Sequence, residues 1–243
     1  MGPVADATLR SRLTLARRVL VLAYRRWRLI EAPLAELVEL TPSAPARVAT
    51  LDHDQLLALL IAARPHLDDA ILGAVWIGWR RANILGADNA RKGRDIPGLT
   101  WDRVIFPVRQ EGRLIKPGRI WYPREHSKTA KPQVSPMSDR VEQLLLARWH
   151  VRDGPLVFHD GTGQPFRDIR KAWWSALHQA GLPRMRWHDL RHCWASELAE
   201  AGADDRELQE LGGWSNPAMV QRYSHLRISD RLMRAVNLPG RLQ

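Results

Sequence analysis

Between residues 101 and 137 the apolar positions change rhythm, from a helical repeat to the alternation of a strand, and on both sides of that window the helical repeat returns. Three short strand candidates fall inside it, at 103–108, 119–123 and 133–137, parted by Gly112 and by the polar turn Ser127-Lys128-Thr129-Ala130-Lys131. A small antiparallel sheet is the simplest way to pair them. Helices are predicted before it at 52–63 and 67–79, with a third starting near Arg80. After it they are predicted at 138–152, 168–180, 188–201, 204–212, 216–223 and 229–236, with Gly181, Gly202 and Gly212 as stop signals. The expected fold class is therefore mainly α with a small antiparallel β-sheet (α+β). No internal repeat interrupts this pattern.

Upstream, residues 7–40 read as two helices. Leu13, Val19, Leu20, Leu22, Ala23 and Trp27 follow the helical period with Arg17, Arg18, Arg25, Arg26 and Arg28 between them, and Pro33 opens a short second helix through Leu40. Thr41-Pro42-Ser43-Ala44-Pro45 reads as a linker. The expected division is a small helical segment with its linker over 1–46 and a main domain over 47–243. The first is too small to bury a core of its own, and the second is large enough.

Charge narrows the partners. The chain carries 37 Lys+Arg against 26 Asp+Glu, a net +11 with an isoelectric point near 10.8, which for a folded domain points to a polyanion such as nucleic acid. The single cysteine, Cys193, excludes an intramolecular disulfide framework and a Cys-based zinc site. It lies in an apolar helical pattern and reads as a small core residue. No run approaches the ~18 apolar residues of a membrane span, and no signal-peptide cleavage site follows the first residues, so the expectation is a cytoplasmic protein.

The chemistry-bearing residues cluster late. His188 and Arg191 stand three apart on a predicted helix, a spacing that projects both side chains from one face towards one anion. An indole, Trp214, and a tyrosine, Tyr223, follow a glycine-rich turn. Only three tyrosines exist (Tyr24, Tyr122 and Tyr223), so a nucleophilic tyrosine must be one of them, and only Tyr223 lies near the His/Arg pair. By spacing alone Tyr223 reads more readily as a core residue packing the last helices than as a nucleophile.

The string His188-Asp189-Leu190-Arg191-His192, the turn Leu211-Gly212-Gly213-Trp214-Ser215 and Tyr223 nine residues beyond the Trp together resemble the tyrosine recombinase (phage integrase) family, in a Gly-Gly-Trp, prophage-like version. The likeness is close over 185–226 and looser from about residue 48 to the end. It implies a catalytic-domain fold preceded, in 1–46, by the last helices of a larger core-binding domain. It also implies site-specific DNA cleavage and rejoining through a covalent 3′-phosphotyrosyl intermediate, without metal or other cofactor. The implied partners are double-stranded DNA at attachment or recombination sites, a homo-tetramer assembled on it, and accessory DNA-bending or directionality factors.

The resemblance further implies a six-residue site. Arg80, in Gly78-Trp79-Arg80, takes the place of the family's first arginine, which lies on a helix; Arg81 is the alternative. Arg80 and Arg191 would clamp the scissile phosphate, His188 would assist proton transfer, Trp214 would donate its indole N–H, and Tyr223 would attack. Lys128, on the hairpin between two strand candidates, would protonate the leaving oxygen, with Lys131 the alternative. Two departures stand out. Many members carry an acid where this chain has Asn83, whose amide can orient a guanidinium by hydrogen bonding but not ionically. Trp101-Asp102 comes 21 residues after Arg80, later than in the family, and the excess matches a basic stretch around 87–98 read as an insertion. His192 reads as a hydrogen-bonded core histidine, the Trp173-Trp174 pair as packing, and the tail after Tyr223 as docking on a neighbour or on its own domain. Two other functions share these motifs: a DNA-binding remnant that no longer recombines, and a type IB-like topoisomerase.

Overall fold

The computed structural model describes residues 6–40, 50–87, 96–126 and 132–227. The chain divides into two compact units, Met1–Arg47 and Val48–Gln243. In the first, helix α1 (Asp6–Arg25) is followed by a single 3-10 turn, Leu34–Leu37, where the pattern predicts a helix through Leu40. The turn has no side-chain cap, and Val38 is already extended (φ −86°, ψ 99°). Among the described residues of this unit only Ala23 and Ala35 are buried, and Leu15, Val19, Leu29 and Leu37 are exposed.

The second unit opens with α2 (His53–Ala62), started by a capping box in which the Asp52 side chain accepts from the Gln55 backbone N–H and the Gln55 side chain accepts from that of Asp52. Helix α3 (Pro65–Ile77) begins with proline in its first turn and stops at Gly78, which is left-handed (φ 67°). A Cβ at Gly78 would lie 2.0 Å from the ring of Trp194, so conformation and space both demand glycine there. The stop falls before Arg80, which therefore sits not within a helix but at the break ahead of the short α4 (Arg81–Leu85), with extended backbone (φ −62°, ψ 145°). Ala87 and Ile96 then exchange backbone hydrogen bonds of 2.9 and 3.1 Å, tying together the two ends of the basic stretch; residues 88–95 lie outside the described residues.

The predicted strand at 103–108 is divided. Trp101–Arg103 is a 3-10 turn, and β1 (Val104–Ile105) ends before Pro107, which has no N–H to offer a ladder. β2 (Val108–Gln110) pairs instead with an unforeseen partner, β3 (Arg113–Lys116), through the turn Glu111-Gly112, both at positive φ (50° and 78°). This hairpin is wholly exposed. β4 (Arg119–Tyr122) and β5 (Gln133–Pro136) form with β1 an antiparallel sheet of order β1-β4-β5. It buries Ile120 and Tyr122 from one strand and Gln133 and Ser135 from the next.

Four helices complete the unit: α5 (Asp139–His150), α6 (Arg170–Gln179), α7 (Asp189–Glu200) and α8 (Asp205–Gly212). Ser138 caps α5, and a capping box between Asp204 and Glu207 starts α8. The helix predicted over 216–223 is replaced by two 3-10 turns, Pro217–Met219 and Gln221–Arg227. The Asn216 side chain accepts from Ala218 N–H at 3.0 Å, and Val220 N–H reaches back to Pro217 O at 2.9 Å, which favours the tighter winding. The linker at 41–45, Lys128, Lys131 and the helix predicted over 229–236 fall outside the described residues.

Two apolar clusters hold this unit together. The larger, around Leu59, Ile71, Trp79, Tyr122, Phe158 and Trp173, joins the first helices, the sheet and α6. The smaller gathers Trp194, Ala195, Ala199, Leu208, Trp214, Val220 and Tyr223. Helix α7 serves both, with Leu190 and Cys193 in the first and Trp194, Ala195 and Ala199 in the second. That double duty is why every residue from Asp189 to Ser196 is buried, and it places the helix's polar side chains between two cores. Burial pushes the Cys193 thiol up to about 11, in keeping with a core residue. Among the described residues no helix is long and apolar enough to cross a membrane.

Candidate active site

The site is built on the C-terminal end of α8, whose last carbonyls have no partner within the helix and carry its negative dipole end. Three neighbouring carbonyls there are satisfied from three different places. Gln133 Nε2 on β5 donates to Leu211 O at 2.8 Å, Arg191 Nη2 on α7 to Gly212 O at 2.5 Å, and Arg80 Nη2 at the α3–α4 break to Gly213 O at 3.1 Å. Arg191 Nη1 donates in addition to Gly78 O at 2.7 Å, so this guanidinium ties the end of α3 to the end of α8.

The glycines of the turn follow from the indole. A Cβ on Gly212 would stand 2.1 Å from the Trp214 ring, and Gly213 is left-handed (φ 64°). Trp214 is thereby folded back against the turn, buried, with the Arg191 guanidinium carbon 4.0 Å from its ring centroid. Arg191 is only 2% exposed, and its Nε has no hydrogen-bond partner, an unusual state for a buried guanidinium donor. Burial first, then the charge of Arg80, pull its pKa down to about 9, which still leaves it a cation at neutral pH. Burial also lowers the pKa of Arg80, which is partly covered.

His188 and Arg191 do not share an environment as their spacing predicts. His188 occupies the cap position before α7 and is exposed, whereas Arg191 is buried one turn later. Partial desolvation of the His188 ring by its surroundings, followed by the Arg191 charge, holds its pKa below the ordinary histidine value, so it is neutral at pH 7. One turn on, His192 packs its ring edge-on to that of His188, with centroids 5.1 Å apart. Its Nδ1 is hydrogen-bonded to the hydroxyl of Tyr223.

Tyr223 lies in the 3-10 segment Gln221–Arg227 with no exposed surface, its ring centroid 6.1 Å from that of Trp214. Burial raises its pKa to about 12, and burial with the neighbouring His188 lowers that of His192 to about 4. The proton therefore resides on the tyrosine, which donates to an imidazole carrying its own hydrogen on Nε2.

Five of the six residues singled out from the sequence thus meet around α7 and the end of α8: Arg80, His188, Arg191, Trp214 and Tyr223. Lys128 lies outside the described residues. Asn83 is buried, with its backbone N–H 2.8 Å from Arg80 O, while the Arg80 guanidinium turns to Gly213 O instead. One contributor and one contact were not foreseen. Gln133 carries no signal in the sequence. His192 is the hydrogen-bonded buried histidine expected, but its partner is Tyr223, and the available clue was its place one turn after His188.

The model of the phage integrase family matches residues 95–229, more than half of the chain. The chain belongs to the phage integrase family. The matched span contains Lys128, His188, Arg191, Trp214 and Tyr223, while Arg80 precedes it. The integrase of Salmonella phage P22 is 28% identical over 236 residues, covering 92% of this chain and 55% of that protein. An integrase of Saccharopolyspora erythraea is 38% identical over 86 residues, 35% of this chain and 19% of that one. The tyrosine recombinase XerC of Mycobacterium leprae (strain TN) is 40% identical over 84 residues, 32% of this chain and 28% of the relative. The chain thus spans about half the length, or less, of these curated relatives.

Among solved structures, the catalytic domain of bacteriophage HP1 integrase aligns with a TM-score of 0.53 at 22% identity, over 79% of this chain and 95% of that one. A lambda integrase dimer bound to a COC′ core site aligns with a TM-score of 0.64 at 18% identity, over 98% of this chain and 63% of that one. These likenesses show the fold: a mostly helical domain with a small antiparallel sheet, as in the catalytic domains of this family.

Proposed function

We propose that this chain is a site-specific DNA recombinase of the tyrosine type, with residues 47–243 as its catalytic domain and 1–46 as the end of a core-binding segment. The observation that carries the reading is the convergence of two guanidiniums, a neutral histidine, an indole and a tyrosine, drawn from three separate stretches of sequence, on the end of α8. Two arginines whose charges oppose each other in a buried site are costly unless an anion arrives to share them. A phosphodiester supplies that anion, and guanidinium forks match its oxygens.

In the proposed reaction the Tyr223 oxygen forms a bond to phosphorus and the bond to the 5′ oxygen breaks. His188 takes up the tyrosine proton, and Lys128, or Lys131 in its stead, gives a proton to the departing oxygen. Arg80, Arg191 and the Trp214 N–H hold the non-bridging oxygens. The phosphotyrosyl link keeps the bond energy for rejoining, and the two guanidiniums supply the positive charge that a metal would otherwise bring to the phosphate.

Double-stranded DNA as the partner is supported by the surface beside the site. A cleft of about 530 Å³ is lined by Arg81, Arg167, Arg170, Arg186, Trp174 and the single acid Asp168, which is bound to Arg170 at 2.8 Å. Cations so placed can follow the phosphates flanking the one that is cleaved. Assembly as a tetramer on DNA belongs to the same proposal. The test is an end-labelled pool of nicked duplexes with randomised cores, from which cleavage cannot be reversed. A denaturant-resistant protein–DNA adduct supports strand transfer. Binding without adduct at every salt concentration would instead indicate a DNA-binding protein that has lost the reaction.

A further inference from the structure

Attack on phosphorus requires the nucleophilic oxygen about 3–3.5 Å from it and in line. No DNA backbone can come that close to a tyrosine with no exposed surface whose hydroxyl is already engaged. The arrangement is a stored one, and the question is what stores it. The ring lies in the smaller core against Trp214 and its neighbours, which covers it but does not satisfy the hydroxyl. A buried O–H without an acceptor is unfavourable, and the acceptor is Nδ1 of His192. His192 is 7% exposed in the first turn of a helix locked between two cores, so the acceptor is fixed while the tyrosine sits on a short 3-10 segment.

We propose that His192 is the positioning residue that holds Tyr223 in a covered resting position, so that release of the hydroxyl from Nδ1 precedes attack on DNA. This rests on the reading of Tyr223 as the nucleophile. The charges facing the pair come from His188, Asp189 and Arg186 at the start of α7, from Arg222 beside Tyr223, and from Arg191. Burial first, and then these mostly cationic or neutral neighbours, keep a second proton off His192. With the imidazole held at about 4 and the phenol at about 12, the pair cannot exchange its proton in place. His192 therefore stores a neutral phenol and does not activate it.

The test reads Tyr223 without and with DNA. In the first arm the full chain is nitrated with tetranitromethane and each tyrosine is followed by peptide mass spectrometry, half-buried Tyr24 serving as the internal reference. Tyr223 is expected to react roughly tenfold more slowly than Tyr24, to gain several-fold in His192→Phe, and to stay protected in His192→Asn, which restores an acceptor. In the second arm the randomised nicked duplexes report adduct formation. His192→Phe is expected to form adduct roughly threefold faster than the native chain, and His192→Asn at the native rate, because the armed state is no longer held back. A Tyr223 that nitrates like Tyr24 in the native chain overturns the proposal. So does an unchanged or slower adduct rate in His192→Phe, the slower rate making His192 a participant in proton transfer. Should His192→Phe fail to fold, His192→Ala, which also removes the acceptor, takes its place in both arms with the same expected and overturning outcomes. Protection that is lost in His192→Phe while no variant ever forms adduct supports the holding contact and overturns the strand-transfer reading alone.

Discussion

Tyr122 and Tyr223 are both wholly buried, and burial raises both hydroxyls to about 12. Their neighbourhoods differ in kind. Tyr122 sits on β4 in the larger core, edge-on to Trp79 at 5.9 Å, with the Arg103 guanidinium 5.2 Å from its ring and its O–H donating to Pro97 O at 3.1 Å. That acceptor is a backbone carbonyl, which neither titrates nor leaves. Tyr223 donates to an imidazole, beside two guanidiniums and a second imidazole, on a short segment at the edge of the smaller core. Burial and a raised pKa mark both residues alike, so neither identifies a nucleophile. What sets Tyr223 apart is the pair of guanidiniums, Arg80 and Arg191, that converge beside it on the end of α8.

The largest contrast expected is in chemistry. Tyr223→Phe should lower adduct on nicked duplexes to background, at least roughly 10³-fold, with DNA binding kept, whereas Tyr122→Phe should stay within about twofold of the native chain. Equal losses in the two variants would erase the distinction. The next contrast is in pH. His192 titrates at about 4 when folded, below the ~6.5 of an unfolded histidine, so the unfolded chain binds the proton first as pH falls. Its contribution to stability is complete above about pH 6.5 and is lost between there and about pH 4, an effect on the order of 3 kcal/mol. His188, shifted in the same direction, adds to it. Denaturant titrations across that window should show the loss in the native chain and in Tyr122→Phe, and a clearly shallower one in His192→Asn.

Smaller effects sharpen the structural half of the comparison. Arg191→Lys keeps a charge but cannot bridge Gly78 O and Gly212 O as a fork does, and should cost about 2 kcal/mol in urea unfolding together with most of the adduct. Tyr122→Phe loses one bond to a carbonyl, and about 1 kcal/mol is expected with no change in chemistry.

What was legible in the sequence follows the range of the forces involved. Helices α7 and α8 were predicted to within a residue or so, because their limits are set locally, by the Asp204–Glu207 box and by glycine. β4 and β5 were legible from alternation, since one face of each is buried. The β2–β3 hairpin has no buried face and left no alternation to see. The break between α3 and α4 was legible to within about two residues, with helices expected over 67–79 and from about Arg80, but not the ring of Trp194 on α7 that packs against Gly78, because it is distant in sequence. In the candidate site, spacing singled out His188, Arg191, Trp214 and Tyr223, and motif resemblance added Arg80. The bond from Tyr223 to His192 and the cap that Gln133 places on α8 join separate elements, and no local pattern announces either.

The most direct measurement is to digest the trapped adduct and locate the residue that carries the nucleotide by peptide mass spectrometry. The account predicts the nucleotide mass on the peptide containing Tyr223, linked through a 3′ phosphate and absent from the peptides containing Tyr24 and Tyr122. Attachment at either of those tyrosines, or at a serine, would contradict it.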